Sequence, residues 1–124
     1  MRILVVDDEK DVEFLFRQKF RKEVRNKGLE LLFAFSGQEA LEMLNQNDPP
    51  NVIYIFSDIN MPGMTGLELL EQVKGKYPEI KISMISAYGD KANFEKAKES
   101  GAKEFFTKPI DFDSLKEEIN ELMN

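Results

Sequence analysis

The 124-residue chain has no cysteine and no histidine. The first absence excludes disulfides, thiolate metal sites and thiol catalysis, and the second excludes every histidine-based triad, relay or ligand set. Carboxylate, hydroxyl and lysine chemistry remains. No run of about 18 apolar residues is present to span a membrane. Met1 is followed at once by Arg2 and a four-residue apolar run too short for a signal peptide, so a cytoplasmic location is expected. Seventeen basic residues stand against 23 acidic ones, a net charge of -6. That balance disfavours direct contact with nucleic acid, because release of counterions from a phosphate backbone needs clustered Lys and Arg.

What is present fits one folded domain over residues 1–124, long enough to bury roughly two thirds of the surface of its unfolded chain. Ile3 to Val6 reads as a buried strand running into Asp7-Asp8-Glu9, and Val12, Leu15, Phe16 and Phe20 make the apolar stripe of a following helix. Leu29 to Phe35 supplies a second strand. Ser36 and Glu39 have capping-box spacing ahead of Ala40, Leu41 and Leu44. After the break at Asp48-Pro49-Pro50, five apolar residues from Val52 to Phe56 read as a central strand covered on both faces, with Asp58 at its carboxyl end. Thr65 and Glu68 repeat the capping box, with Leu67, Leu70 and Val73 inward and Tyr77-Pro78 ending the helix. Ile80 to Ser86 is the fourth strand. Asp90 is placed to cap a thinly anchored helix whose inward residues are Phe94 and Ala97, and Gly101 fits the position just past its end. Glu104 to Thr107 is a short fifth strand leading to Lys108-Pro109. Asp111 caps a last helix with Phe112, Leu115, Ile119 and Leu122 on one face. Five strands alternating with five helices predict an α/β fold: a parallel sheet with right-handed crossovers and helices on both faces.

In such sheets ligands bind at the rim formed by the carboxyl ends of the strands. Four strand ends carry Asp7 and Asp8, Asp58, Ser86, and Lys108 to that rim. An isolated Asp before a turn is usually a cap, and a Lys among carboxylates is often a mere counter-charge; the convergence of all four ends favours chemistry instead. Crowded carboxylates repel, and a hard divalent cation with oxygen ligands, Mg²⁺, relieves them and attracts a phosphoryl group. Asp58 can then act as a carboxylate nucleophile, with Lys108 offsetting charge and Ser86 donating a hydrogen bond.

Taken together, Val5-Val6-Asp7-Asp8-Glu9, Asp58-Ile59-Asn60-Met61-Pro62-Gly63-Met64-Thr65-Gly66, Ser86-Ala87 and Lys108-Pro109-Ile110 resemble the response-regulator receiver domain of two-component signalling, in order and over essentially the whole chain. The resemblance implies a flavodoxin-like doubly wound sheet of strand order 2-1-3-4-5, with Asp58 as phosphoacceptor and a sensor kinase phosphohistidine or phosphotransfer protein as donor. It implies Mg²⁺ held through Asp8, Asp58 and the backbone carbonyl of Asn60, with Asp7 acting through water. It further implies a switch in which Ser86 moves toward the phosphoryl group and Phe105 turns inward. That motion reshapes the face of the fourth helix, fifth strand and last helix toward a downstream effector domain or protein, and the resemblance allows a homodimer on phosphorylation. Ser86 stands where the family often has Thr, and Phe105 where it often has Tyr. Tyr88 and Asn60 are expected to flank the path of the water that hydrolyses the acyl phosphate.

Three alternatives fit these residues less well. An aspartyl-phosphate hydrolase would need a second Asp two residues after the nucleophile, where Asn60 stands. Flavin mononucleotide would need a Gly- and hydroxyl-rich loop in place of Asp7-Asp8-Glu9. An unphosphorylated docking module would not need the complete acid, hydroxyl and lysine set. Phe14, outside its helix's apolar stripe, is read as an ordinary exposed apolar residue.

Overall fold

The computed structural model describes residues 1–46, 51–87 and 89–123. In chain order the elements are β1 (Arg2–Val6), α1 (Asp11–Lys19), α2 (Arg21–Lys27), β2 (Glu30–Ala34), α3 (Gly37–Leu44), β3 (Val52–Asp58), α4 (Gly66–Lys76), β4 (Lys81–Ala87), α5 (Lys91–Glu99), β5 (Phe105–Lys108) and α6 (Phe112–Met123). The strands are all parallel and ordered β2-β1-β3-β4-β5, as expected. The Asp48-Pro49-Pro50 break lies outside the described residues.

Because β1, β3 and β4 are covered on both faces, their apolar residues divide by alternation into two cores. On one face Leu4, Val6, Ile55, Ile82 and Met84 pack with Leu41 of α3, Leu69, Leu70 and Val73 of α4, and Ala97 of α5. On the other, Ile3, Val5, Tyr54, Phe56 and Ile85 pack with Val12 and Phe16 of α1 and Leu115 and Ile119 of α6. The Tyr54 hydroxyl, buried in this second core, bonds to Ser83 and donates to Glu118 of α6 at 3.2 Å. Burial pushes its ionisation well above the ordinary range.

Among the described residues the structure has six helices where five were expected. Phe20 leaves helical geometry (φ −103°, ψ 19°), its N–H still bonded to the Phe16 carbonyl, and a second helix starts at Arg21. The break lets the Phe20 ring bury against Phe16 (5.8 Å) and Phe112 (6.4 Å) while Arg21, Lys22, Arg25 and Lys27 remain in water. Leu15, expected inward, is exposed: residues Val12, Phe16 and Phe20 at four-residue spacing fill the narrow stripe, and Leu15 falls at its margin. Phe14 is 68% exposed, in keeping with its expected surface place. Since α1 leaves the carboxyl end of β1 and the chain re-enters the sheet at Glu30 opposite Arg2, α2 and the end of α1 lie at the amino-terminal edge of the sheet. Six basic residues between Arg17 and Lys27, against the single acid Glu23, gather there.

Capping follows the sequence at α4, where Thr65 and Glu68 complete a reciprocal box, and at α6, where Asp111 accepts from the Asp113 N–H at 3.1 Å. At α3 Ser36 caps Glu39, but the Glu39 carboxylate takes the Phe35 N–H instead of that of Ser36. Helix α5 buries Ala97 alone, with Phe94 half-buried, which matches its expected thin anchoring.

Candidate functional site

The carboxyl ends of β1, β3, β4 and β5 meet at one rim. Asp7 follows β1, where its N–H is tied to the Ala34 carbonyl at 3.1 Å and its Oδ1 accepts the Glu9 N–H at 2.9 Å. Asp58 is the last residue of β3 and is 5% exposed; Asp8 is exposed to solvent. One carboxylate oxygen from each of Asp7, Asp8 and Asp58 lies within 4.8 Å of the others. Lys108, at the end of β5, places Nζ 3.1 Å from Asp7 Oδ2, 3.2 Å from Asp58 Oδ2 and 3.9 Å from the exposed Glu9.

These charges do not balance. Burial, then the nearby Asp7 charge, pushes the Asp58 carboxyl above its ordinary range, and Lys108 and the Asn60 N–H (3.3 Å from Oδ1) only partly offset them. Burial alone would lower the Lys108 ammonium, yet Asp58 and Asp7 carry it above its usual range. Asp7 Oδ2 is buried, and its close approach to Lys108 makes no well-aligned hydrogen bond. A buried, under-satisfied carboxylate oxygen beside two more carboxylates is a donor set that suits a hard divalent cation. The residues present therefore fit Mg²⁺.

Position 66 is constrained by the same rim. The Gly66 N–H donates to the Ile59 carbonyl at 2.8 Å, and a Cβ there would stand 2.1 Å from the Asp58 carbonyl oxygen and 2.8 Å from Ile59 Cα. The backbone of α4 thus presses directly on the residue that carries the central carboxylate.

Ser86, fully buried near the end of β4, pairs across the ladder with Thr107. Asn60 Nδ2 reaches its Oγ at 3.5 Å. Phe105, half-buried on β5, faces the Leu4 core with its ring 5.3 Å from Phe94 of α5, while Phe106 faces the opposite core 5.9 Å from Phe56. Asp7, Asp8, Asp58, Asn60, Ser86 and Lys108 are thus brought to one rim, with Phe105 behind it; Tyr88 lies outside the described residues.

The structure corrects the expected role of Asp90 from a helix cap to a partner of Ser86. Asp90 sits at the N-cap of α5 without a side-chain capping bond, and instead its Oδ2 accepts from Ser86 Oγ at 2.8 Å and Asn93 Nδ2 at 2.9 Å. The Asn93 amide, then the Ser86 hydroxyl, hold its carboxyl below the ordinary range. Its spacing four residues beyond Ser86 was the available signal.

Residues 3–120 match the family model of the response regulator receiver domain. Sporulation initiation phosphotransferase F of Bacillus subtilis is 30% identical over 122 residues, covering 98% of this chain and 93% of that protein. A chemotaxis protein CheY homolog of Campylobacter jejuni is 31% identical over 125 residues, covering 99% and 92%. The crystal structure of the receiver domain of NtrX from Brucella abortus superposes with a TM-score of 0.81 at 33% identity, over 98% of this chain and 97% of that one. With the match spanning nearly all of a sheet ordered 2-1-3-4-5, the chain belongs to the response regulator receiver domains, the phosphoacceptor signalling modules of two-component systems.

Proposed function

We propose that Asp58 is the phosphoacceptor, taking a phosphoryl group from the phosphohistidine of a sensor kinase or phosphotransfer protein. The observation that carries this reading is the buried Asp58 carboxylate held 3.2 Å from Lys108 and beside Asp7 and Asp8 at the strand-end rim. An Asp58 carboxylate oxygen attacks phosphorus in line, the P–N bond breaks, and the departing imidazole nitrogen keeps the bond's electron pair. Lys108 and the Ser86 hydroxyl donate to the phosphoryl oxygens. Asp8, Asp58 and the Asn60 carbonyl would hold Mg²⁺, with Asp7 contributing through water; the ion supplies charge neutralisation on the transferring group. The test is intact-mass measurement after incubation with a small phosphodonor and Mg²⁺: one phosphoryl addition is expected, and none would overturn the reading. Titration calorimetry should find Mg²⁺ affinity reduced about tenfold or more in Asp8→Asn; equal affinity in variant and parent would put the metal elsewhere.

The proposed output is the face made by α5, β5 and α6, read by an effector domain or protein in the cytoplasm. Phe105 has no hydroxyl to keep hydrated, so its inward state costs little to populate before phosphorylation and the shift on activation is small. NMR on the Mg²⁺-bound protein, with and without a phosphoryl mimic, is expected to show changes at the Phe105 ring and from Lys91 to Gly101. Changes restricted to Asp58, Ser86 and Lys108 would sink the coupling.

A further inference from the structure

A hydroxyl carries one proton, and in this structure that of Ser86 is already committed. Ser86 Oγ is wholly buried and 2.8 Å from Asp90 Oδ2, an ionisable acceptor on the loop leading into α5. The same carboxylate oxygen is steadied by Asn93 Nδ2 at 2.9 Å. Asp90 stands at the N-cap of α5 but directs its carboxylate chiefly to these two bonds, with no regular capping bond and only a weak approach of the Asn93 N–H. The turn that brings it back over Ser86 passes through Gly89 at φ +88°, a left-handed conformation that favours glycine.

We propose that Asp90 is a positioning residue: its carboxylate holds the Ser86 proton in the resting protein, and a phosphoryl group on Asp58 must take that proton away, so Asp90 biases the domain against activation. This rests on the reading of Asp58 as phosphoacceptor. The two acceptors exclude one another, because the single proton cannot serve both. The same bond fastens the first turn of α5 to β4. Of that helix only Ala97 is fully buried, and its Phe94 touches Phe105. When the proton passes to the phosphoryl oxygens, α5 loses its side-chain tie to β4 at the moment Phe105 has to move, and the Asp90 N–H to Ala87 carbonyl bond of 3.3 Å is left to hold the turn. Transfer of one hydrogen bond thereby links the chemistry of the rim to the release of the helix.

The experiment is a double-mutant cycle read by the affinity for beryllofluoride, a phosphoryl mimic, in saturating Mg²⁺. Asp90→Ala should bind it roughly tenfold more tightly than the parent, the size expected when a charge-assisted bond no longer competes. Asp90→Asn, which keeps the shape but weakens the acceptor, should show a smaller gain in the same direction. Both gains should vanish in a Ser86→Ala background, where there is no proton to contest. A merely structural Asp90 would lower the melting temperature without strengthening binding, and that outcome overturns the proposal. So would a gain that persists without the Ser86 hydroxyl. Beryllofluoride binding that does not depend on Asp58, tested with Asp58→Asn, overturns the phosphoacceptor reading and this proposal together. Asp58-dependent binding that is indifferent to Asp90 overturns this proposal alone.

Discussion

Asp58→Asn is expected to acquire no phosphoryl group from a small phosphodonor and Mg²⁺, and at the same time to be more stable than the parent in metal-free buffer. The first half follows from chemistry: an amide oxygen lacks the negative charge of the carboxylate nucleophile. The second follows from electrostatics. Burial and the neighbouring Asp7 raise the Asp58 carboxyl above its ordinary range in spite of Lys108, so the folded state holds its proton more firmly than the unfolded state. Stability from this group is therefore lost as pH rises from the ordinary carboxylate range through the raised one, and at neutral pH the charged form is a net burden. Replacing it with a neutral isostere should add about 1 kcal/mol, measured by urea denaturation with chelator present. Phosphorylation at undiminished stoichiometry would refute the assignment, and a less stable variant would show that the Lys108 pairing outweighs the repulsion.

Gly66→Ala should cost about 3 kcal/mol or more, roughly 10 °C in melting temperature for a chain of this size. The added carbon would fall 2.1 Å from the Asp58 carbonyl oxygen, and its nearest neighbours are backbone atoms of β3 and the turn after it, with no flexible side chain to give way. Gly75→Ala, on the same helix with nothing within 4 Å of its Cβ, is the control and should be neutral or gain up to about 1 kcal/mol. Equal melting temperatures for the two variants would contradict the close approach. A Gly66→Ala protein that survives is expected to do so by displacing Asp58, with a corresponding loss of phosphorylation.

Much of this was legible in the sequence because the signals were local and mutually consistent. The apolar runs ending in Asp7 and Asp58, and Lys108 closing a short strand, needed only the crossover rule to be placed at one rim. The capping pairs at Thr65 and Asp111 appeared as read because a cap is decided within four residues. What escaped was decided by distant partners. The bend at Phe20 exists because its ring meets Phe112 from the far end of the chain, so a continuous stripe from Val12 to Phe20 gave no hint of a second helix. Asp90 had the composition and position of a cap, and the stronger claim on it came from a buried hydroxyl one strand end away. Gly66 stood inside a recognised motif, yet the reason for a glycine there is contact between backbones, which no pattern of side chains reveals.

The bend at Phe20 also has an electrical side. By turning Arg21, Lys22, Arg25 and Lys27 into water at the amino-terminal edge of the sheet, it sets a cationic pole against the acidic rim at the other end. Within a chain of net charge -6, this local excess of cations lies away from the acidic rim. A donor whose phosphohistidine is ringed by basic residues would be turned to meet the rim before contact, and one presenting acidic surface would be turned the wrong way round. Encounter, on this view, is orientation-selected at a distance of about one Debye length, roughly 10 Å at 0.1 M salt, and its rate should fall as ionic strength rises while the chemistry at Asp58 proceeds unchanged.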